Sequence, residues 1–406
     1  MSRTIAAAPV VQTNAALTIA LCFAVAIIEG FDIQAVGVAA PKLAPELGLA
    51  ADQLKWIFTI SNVGLVIGAA FGGRLADRFG RKPVFMGSVA AFGLFTVLTP
   101  FAANFEMLFA ARLLTGLGFG AALPNLMAVA AEISPPNKRA ATASTMFCGM
   151  PLGGGTVALF TQLLPTDFDW RTLFYVGGLL PLVLVPAMYL FMPETLSKTT
   201  ASGVPHERVP VMRALFGEGR ASPSLLLWIA FFPTLLILYL ILNWLPLLAT
   251  AKGLDAATAP QASLAFNFAS VAGALLLGRV VDRFGAKWPL TLSYIALIGS
   301  LVALGAAHER STILLYSAAA GFFLMGANYA LYGVAASYYP SAMRGTGSGA
   351  SIAVGRVGSI VGPYLAGVLL AGGTTAANVV LYMAPVAAVA GIAVFALGFV
   401  RQAEET

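Results

Sequence analysis

The sequence predicts an all-α membrane protein with twelve transmembrane helices in two similar halves, and three observations support this prediction. Of 406 residues, 59% are hydrophobic and only 10% are charged, whereas soluble globular proteins carry about 25% charged residues. Apolar stretches of about 20 residues, the length of a helix that spans a bilayer, recur along the whole chain. One polar loop sequence occurs twice, about half the chain apart. The composition excludes a soluble globular protein.

Glycine, proline and charged residues divide the apolar stretches into twelve predicted helices. These cover residues 16–40, 54–75, 84–103, 107–132, 140–163, 171–192, 223–250, 259–281, 288–307, 311–337, 345–371 and 376–400. The long polar break at 193–222 predicts a cytoplasmic linker between an N-terminal six-helix bundle (1–192) and a C-terminal one (223–406). Within that break, Val209–Glu218 fits a short interfacial helix and a plain linker equally well.

Lysine and arginine residues set the predicted orientation in the membrane. If both termini lie on one side, that side collects sixteen of the 23 lysines and arginines, and the other side collects five. Cytoplasmic loops carry the excess of positive charge in membrane proteins, so both termini are predicted to be cytoplasmic. The same rule accounts for the net charge of +6 without a nucleic-acid partner.

The repeated loop relates the two halves of the chain. Gly72–Lys82, "GGRLADRFGRK", follows the second predicted helix, and Leu277–Lys287, "LGRVVDRFGAK", follows the eighth. Asp77 and Asp282 occupy matching places 205 residues apart, and both copies lie on the side of the termini. Two halves with the same orientation form a parallel repeat, and in transporters built this way the translocation path lies between the halves.

Several motifs resemble those of the major facilitator superfamily. Gly72–Lys82 is similar to its hallmark loop between helices two and three, G-x-L-A-D-R-x-G-R-K. Ala111–Asn125, "ARLLTGLGFGAALPN", resembles its fourth-helix motif R-x-x-x-G-x-G-x-G. The stretch "EGFD", Glu29 to Asp32, resembles the D-G-x-D signature of the aromatic acid:proton symporter family, with Glu29 where most of that family has Asp. The resemblance covers the whole chain and implies the major facilitator fold.

Other segments resemble one particular family within the superfamily. Trp244–Leu248 and Ala353–Pro363 look like the seventh and eleventh helices of the same family. Residues 21–44 and 114–128 are similar to the branch that imports 3-(3-hydroxyphenyl)propionate, which also has Glu at the position of Glu29. The resemblance implies a proton-coupled symporter that imports an aromatic carboxylate such as this one by alternating access. It also implies a monomer in a bacterial inner membrane, serving aromatic hydrocarbon catabolism, with the proton gradient as energy source.

Two carboxylates three residues apart, Glu29 and Asp32, interrupt the first apolar stretch. A charge at the bilayer centre costs about 2.5–3.5 kcal/mol on insertion scales, so such residues tend to be functional. Residues i and i+3 share one helix face, and repulsion between two close carboxylates favours a proton on one of them near neutral pH. The pair is therefore predicted to couple protons to transport. An ion pair with Arg112 or Arg356 that holds helices together remains the alternative.

Arg112 and Arg356 are the only basic residues predicted deep in the membrane. A guanidinium offers a planar fork that matches a carboxylate, so Arg356 is predicted to bind the substrate carboxylate. Arg112 is predicted either to contribute to the substrate site or to be structural. Amides and aromatic rings suit an aryl acid with a hydroxyl group, although ordinary packing accounts for any single one. The predicted substrate-binding residues of this kind are Asn125, Tyr239, Asn243, Asn328 and Tyr332, with Asn267 and Tyr329 as further polar groups that could line the cavity.

The family resemblance implies a cytoplasmic gate at the repeated loop. Asp77 would cap the N-terminus of the eleventh predicted helix near Gly345 and stabilise an outward-open state, while Arg78 and Arg81 would bridge to neighbouring groups. A tight loop that obeys the positive-inside rule explains the arginines but not the repeated Asp and Gly. The predicted gate residues are Gly73, Asp77, Arg78, Gly80, Arg81, Asp282 and Arg283.

Two other functions compete with import. The first is a proton-coupled drug or metabolite exporter of the same fold. Such antiporters carry G-x-x-x-G-P-x-x-G-G in the fifth helix, and Cys148–Ala158 has the glycines but a displaced proline. The second is a membrane enzyme, which the sequence argues against because it has no zinc-type histidine spacing, nucleophile motif or phosphate-binding loop. No enzymatic activity, metal or cofactor is predicted.

Overall fold

The computed structural model describes residues 15–135, 139–165, 168–195, 210–340 and 343–400, and within these ranges the chain forms helices and turns without strands. Eleven spans are long and apolar enough to cross a bilayer, with α13 and α14 together forming one of them. The twelfth long helix is α5, with 25 residues. The helices are α1 (Ala15–Glu46), α2 (Ala51–Phe79), α3 (Arg81–Leu98), α4 (Phe105–Ile133), α5 (Arg139–Leu163), α6 (Arg171–Phe191), α7 (Val211–Phe216), α8 (Ala221–Ala251), α9 (Pro260–Phe284), α10 (Lys287–Ala306), α11 (Arg310–Ala336), α12 (Arg344–Ala371), α13 (Ala376–Leu381) and α14 (Met383–Leu397).

The predicted helices differ from the observed ones mainly at their ends. The first was predicted to stop before Pro41, but α1 continues to Glu46 with Pro41 and Pro45 inside it. Leu43 and Ala44, between the two prolines, are buried and pack this end of the helix into the core, while Pro45 and Glu46 are exposed. The twelfth predicted helix is divided at Tyr382 into α13 and α14. Of the two interpretations of the polar break, the short helix is the one observed, as α7.

The 205-residue offset of the repeated loop extends to the helices. α4 and α11 begin at Phe105 and Arg310, and α5 and α12 begin at Arg139 and Arg344. The packing pairs correspond in the same way, because α1 packs on α5 and α2 on α4 in the first half, while α8 packs on α12 and α9 on α11 in the second. Each half is therefore the same six-helix bundle.

Glycines set the closest helix crossings in both halves. A Cβ atom added at Gly153 of α5 would lie 1.8 Å from the carbonyl oxygen of Ile27 in α1. At the corresponding crossing, a Cβ at Gly358 of α12 would lie 2.2 Å from the carbonyl oxygen of Phe232 in α8. Both residues of the second crossing stand 205 positions after those of the first. Small residues allow such backbone contact between transmembrane helices.

The two halves meet through α1 with α8, α2 with α12, and α5 with α9. Two contacts between the halves lie towards the side of the membrane opposite the termini, which we call the far side. Trp56 of α2 and Tyr364 of α12 are in edge-on contact with ring centroids 5.0 Å apart. Gln162 Nε2 of α5 donates to the carbonyl oxygen of Ala257, 3.2 Å away, in the loop before α9. These contacts close the far side.

On the side of the termini, the near side, a cavity of about 670 Å³ opens between α5, α9 and α11. We call it the vestibule. Its lining includes Phe147, Cys148, Asp282, Tyr329 and Tyr332. A transporter that alternates between two openings would have this arrangement when it is open towards the near side.

Gly153→Ala tests the crossing of α1 and α5. The added methyl group overlaps the carbonyl oxygen of Ile27, so we expect a loss of about 1–3 kcal/mol of stability, the usual cost of overpacking. The measurement is the thermal unfolding midpoint of the detergent-solubilised protein.

Gly299→Ala is the matched control, because Gly299 lies within α10 with open space around its Cα hydrogens. That variant should unfold at or slightly above the wild-type midpoint, since alanine favours helix over glycine. Equal midpoints for the two variants would contradict the role given to Gly153.

Candidate functional site

A narrow cavity lies at the centre of the molecule, between the two halves. It is bounded by α1, α4 and α5 from the first half and by α8, α9, α11 and α12 from the second. We call it the central cavity. Four of the predicted substrate-binding residues meet in it: Tyr239, Asn328, Tyr332 and Arg356. Its polar and aromatic lining is Gln34, Phe147, Tyr239, Asn267, Asn328, Tyr329, Tyr332 and Arg356.

Arg356 supplies the cationic group in the lining of the central cavity. Its Nη1 donates to the hydroxyl oxygen of Tyr239 at 2.9 Å. The other N–H groups of this guanidinium donate to none of the residues that the structure describes. A planar guanidinium with unused donors, in a cavity that is mostly apolar and aromatic, suits an anionic ligand that can accept two hydrogen bonds.

Three aromatic rings separate the central cavity from the vestibule, because Phe147, Tyr329 and Tyr332 line both. The ring of Phe147 stacks on that of Tyr332 with centroids 5.4 Å apart and an interplanar angle of 22°. Tyr329 donates its hydroxyl proton to the carbonyl oxygen of Phe147, 2.8 Å away. Phe147 belongs to α5 and the two tyrosines to α11, so the two halves touch here as well.

Asp32 and Arg112 form a buried ion pair. Arg112 Nη1 and Nη2 donate to Asp32 Oδ1 and Oδ2 at 3.1 and 2.8 Å, and the two residues are 1% and 4% exposed. Thr96 donates to Asp32 Oδ1 at 2.9 Å, and Arg112 Nε donates to Ser61 Oγ at 3.2 Å. This network connects α1, α2, α3 and α4, which is the structural alternative that the sequence left open for Asp32.

Glu29 has a different environment, although it lies one turn from Asp32. It is fully buried, and neither carboxyl oxygen has a hydrogen-bond partner among the described residues. Arg356 of α12 interacts with it electrostatically, but no hydrogen bond joins the two side chains. Of the two carboxylates predicted to act together, Asp32 is therefore ion-paired and Glu29 is not.

Three predicted substrate-binding residues lie outside the central cavity. Arg112 and Asn243 line a small separate cavity beside Asp32. Asn125 lies between α4 and α2, where its Nδ2 donates to the carbonyl oxygens of Ala121 at 2.8 Å and Gly72 at 3.4 Å. Arg112 and Asn125 therefore join helices of the first half in this conformation, whereas Asn243 belongs to α8 of the second half and donates to the carbonyl oxygen of Tyr239 at 2.8 Å.

Two members of the polar and aromatic lining of the central cavity were not predicted. Gln34 follows Asp32 by two positions, and a glutamine inside an apolar stretch is a signal that could have identified it. Phe147 is one of 27 phenylalanines, and nothing in the sequence distinguishes it from the others. Gly30, the glycine of "EGFD", has a packing role, because a Cβ there would lie 1.9 Å from the carbonyl oxygen of Met150 in α5.

The first copy of the repeated loop forms an ionic cluster on the near side. Arg81 Nε donates to Glu132 Oε1 at 3.1 Å, and its Nη2 is 3.9 Å from Asp77 Oδ1. Glu194, which was not predicted, accepts hydrogen bonds from the backbone N–H groups of Arg81 at 2.9 Å and Lys82 at 3.2 Å. It thereby satisfies donors at the start of α3.

The other predicted gate residues are dispersed. Asp77 has a side chain that is 68% exposed, and its capping of α12 in an outward-open state remains a prediction about another conformation. Gly80 turns the chain between α2 and α3 with φ 102°, which favours glycine. The remaining residues are Gly73, in open space, Arg78 and Arg283, each against the following phenylalanine, and Asp282, in the vestibule lining.

The sequence is similar to those of known transporters over most of its length. The chain is 42% identical over 381 residues to the 3-(3-hydroxy-phenyl)propionate transporter of Escherichia coli K12, covering 94% of this chain and 93% of the relative. It is 32% identical to the gallate transporter of Pseudomonas putida and to the 4-hydroxybenzoate transporter PcaK of Pseudomonas aeruginosa, each over 95% of this chain and 92% of the relative.

Solved structures show the same fold. A bacterial homologue of the human lysosomal transporter Spinster, in an inward-facing and unoccupied conformation, matches with a TM-score of 0.78 at 15% identity, over 94% of this chain and 96% of that one. The nucleoside transporter NupG matches with a TM-score of 0.74 at 14% identity, over 95% and 99%. The family model of the Major Facilitator Superfamily matches residues 22–267 and 253–406. The chain belongs to that superfamily and is a multi-pass membrane transporter rather than an enzyme.

Proposed function

We propose that the protein is a symporter that imports an aromatic carboxylate, such as 3-(3-hydroxyphenyl)propionate, together with a proton. The observation that carries this proposal is Arg356, whose unused N–H groups face a cavity walled by aromatic rings. The guanidinium suits the carboxylate, and the rings of Phe147, Tyr329 and Tyr332 suit an aryl group. The relatives named as transporters of hydroxylated aromatic acids support the same substrate class.

Glu29 is the residue that carries the proton in this proposal. A buried carboxyl group without hydrogen-bond donors around it is most stable in its neutral form. While Glu29 is protonated, Arg356 keeps its full charge for the substrate carboxylate. Once Glu29 loses its proton, its negative charge competes with the substrate for Arg356. The proton and the anion therefore bind together and leave together, which is the requirement for symport.

Asp32 has a supporting role in the proposal. Arg112 already compensates its charge through a bidentate ion pair, whereas Glu29 has no hydrogen-bond partner among the described residues. The pair fixes α1 against α4, and with it the position of Glu29 on the preceding turn. This division of roles replaces the joint proton coupling by both acids that the sequence favoured.

The direction of transport rests on the orientation of the chain. The positive-inside rule assigns the near side to the cytoplasm, and the vestibule then opens to the cytoplasm while the far side is closed. An importer occupies this conformation when it releases its substrate. A bacterial inner membrane and a monomeric state, with no cofactor beyond the proton gradient, belong to the same proposal.

Uptake into proteoliposomes tests the proposed function directly. We expect labelled 3-(3-hydroxyphenyl)propionate to accumulate when an inward proton gradient is imposed, and only to equilibrate without one. Benzoate-type acids should compete. The absence of uptake of any aryl acid under either gradient direction would contradict the proposal and favour a proton-coupled exporter instead.

Arg356→Gln is expected to lower uptake by about 100-fold, because charge-assisted hydrogen bonds to the carboxylate are lost. Arg356→Lys keeps the charge but not the planar fork, so it should lower uptake by about tenfold. The measurement is the initial rate at subsaturating substrate. Equal rates for Gln and Lys would show that the charge of Arg356 is not used.

Glu29→Gln mimics the protonated side chain permanently. We expect exchange of labelled for unlabelled substrate to persist, while gradient-driven accumulation and the fall in substrate affinity with rising pH are lost. Glu29→Asp is the matched control and should retain both. Gradient-driven accumulation by the Gln variant would refute the role given to Glu29.

Asp32→Asn tests the division of roles between the two acids. Removing one partner of a buried ion pair costs about 3–5 kcal/mol, so this variant should lower the thermal unfolding midpoint and all modes of transport together. A stable variant that lost only accumulation would instead assign proton coupling to Asp32.

A further inference from the structure

Two buried amide side chains, Gln34 of α1 and Asn267 of α9, line the part of the central cavity that is nearer the far side. Each is 1% exposed. The three aromatic rings lie towards the vestibule, and Arg356 enters the cavity from α12. The cavity thus offers a cation, an aromatic wall and an amide pair. The proposed function uses the first two and leaves the amide pair without a role.

Hydrogen bonds fix the orientation of both amides. Gln34 Nε2 donates to the carbonyl oxygen of Leu242 at 2.5 Å, so its Oε1 is turned towards Asn267. Asn267 Nδ2 then donates to the carbonyl oxygen of Ser263 at 2.8 Å and to Gln34 Oε1 at 3.3 Å. Because an amide NH₂ group donates and does not accept, the remaining atom of Asn267, Oδ1, is unambiguously an acceptor.

Asn267 Oδ1 accepts a hydrogen bond from none of the described residues. It lies beside Gly154 of α5, which also lines the central cavity. A Cβ atom added at Gly154 would lie 2.7 Å from this oxygen, so a side chain there would cover it. The glycine keeps an oriented, uncharged acceptor accessible from the cavity.

We infer that Asn267 Oδ1 accepts a hydrogen bond from a hydroxyl group on the aromatic ring of the substrate. The inference rests on the proposed function, because it assumes that an aryl acid occupies the cavity with its carboxylate at Arg356. A phenolic hydroxyl is a strong donor that matches an amide oxygen, whereas the carboxylate has no proton to donate. Gln34 and Ser263 are positioning residues, since they orient the Asn267 amide.

This contact makes Asn267 a specificity-determining residue. A site built to bond a substrate hydroxyl rejects the analogue that lacks it, because a buried polar group is then left unpaired. The structure therefore selects ring-hydroxylated acids over unsubstituted ones. One neutral hydrogen bond is worth roughly a tenfold preference.

The test compares binding of 3-(3-hydroxyphenyl)propionate and 3-phenylpropionate to the purified full-length transporter. The two acids share a carboxylate and a ring and differ by one hydroxyl group. Their affinities are measured by competition against labelled ligand, and the ratio of the two is independent of the amount of folded protein. We expect the wild type to prefer the hydroxylated acid by about tenfold.

Asn267→Ala should bring the ratio of affinities close to one, because it weakens binding of the hydroxylated acid alone. Gly154→Ala, which covers the oxygen without removing it, should have the same effect. Asn62→Ala is the matched control, because Asn62 Nδ2 also donates to the carbonyl four residues earlier, that of Phe58, at 3.1 Å, but Asn62 lies outside the central cavity. The control should keep the wild-type ratio.

Two results would overturn the inference while leaving the proposed function intact. One is a wild type that binds both acids equally well. The other is an Asn267→Ala variant that keeps the tenfold preference or binds both acids more weakly to the same extent. A wild type that binds neither acid, with Arg356→Gln giving the same result, would instead refute the proposed function.

Discussion

A charge inside a membrane protein must have a partner, and the arrangement of this molecule follows from that constraint. The first half satisfies it internally, since Asp32 and Arg112 neutralise each other across four helices. In the second half, the only direct partner of Arg356 among the residues that the structure describes is a tyrosine hydroxyl. The unpaired Glu29 faces the same region from the other half. One fixed pair and two incompletely paired groups leave room for the anion and the proton of the proposed function. A static ion pair between Glu29 and Arg356 would leave no such room.

The internal repeat distinguishes the residues that build the helix bundle from those of the candidate site. Glycine crossings recur at a spacing of 205 residues, so the bundle architecture is the same in both halves. The deep charges do not recur, because each has an uncharged residue at the equivalent place. The pairs are Glu29 with Thr234, Asp32 with Ile237, Arg112 with Ser317, and Pro151 with Arg356. The residues of the proposed function therefore lie where the two halves differ, while the shared glycines serve packing.

The sequence predicted the frame better than the site, for a physical reason. Helix number and the internal repeat depend on hydropathy and on loop sequence, which are local properties. Arg356 could be placed at the central cavity because a buried charge in an apolar stretch is conspicuous. The pairing of Asp32 with Arg112 depends on how α1 crosses α4, 80 residues apart in sequence, and no local pattern encodes that. Phe147 was missed because a phenylalanine in an apolar helix carries no signal.

Gln34 links the chemistry of the cavity to the closure of the far side. It belongs to the first half, yet its amide bonds to Leu242 and Ser263 of the second half. The same side chain orients Asn267, which lines the central cavity. A ligand bonded to Asn267 would stabilise this network, and with it the contact between the halves. Because a ligand shifts a conformational equilibrium only through differential contacts, such a shared network is where substrate binding can favour the conformation that is closed on the far side.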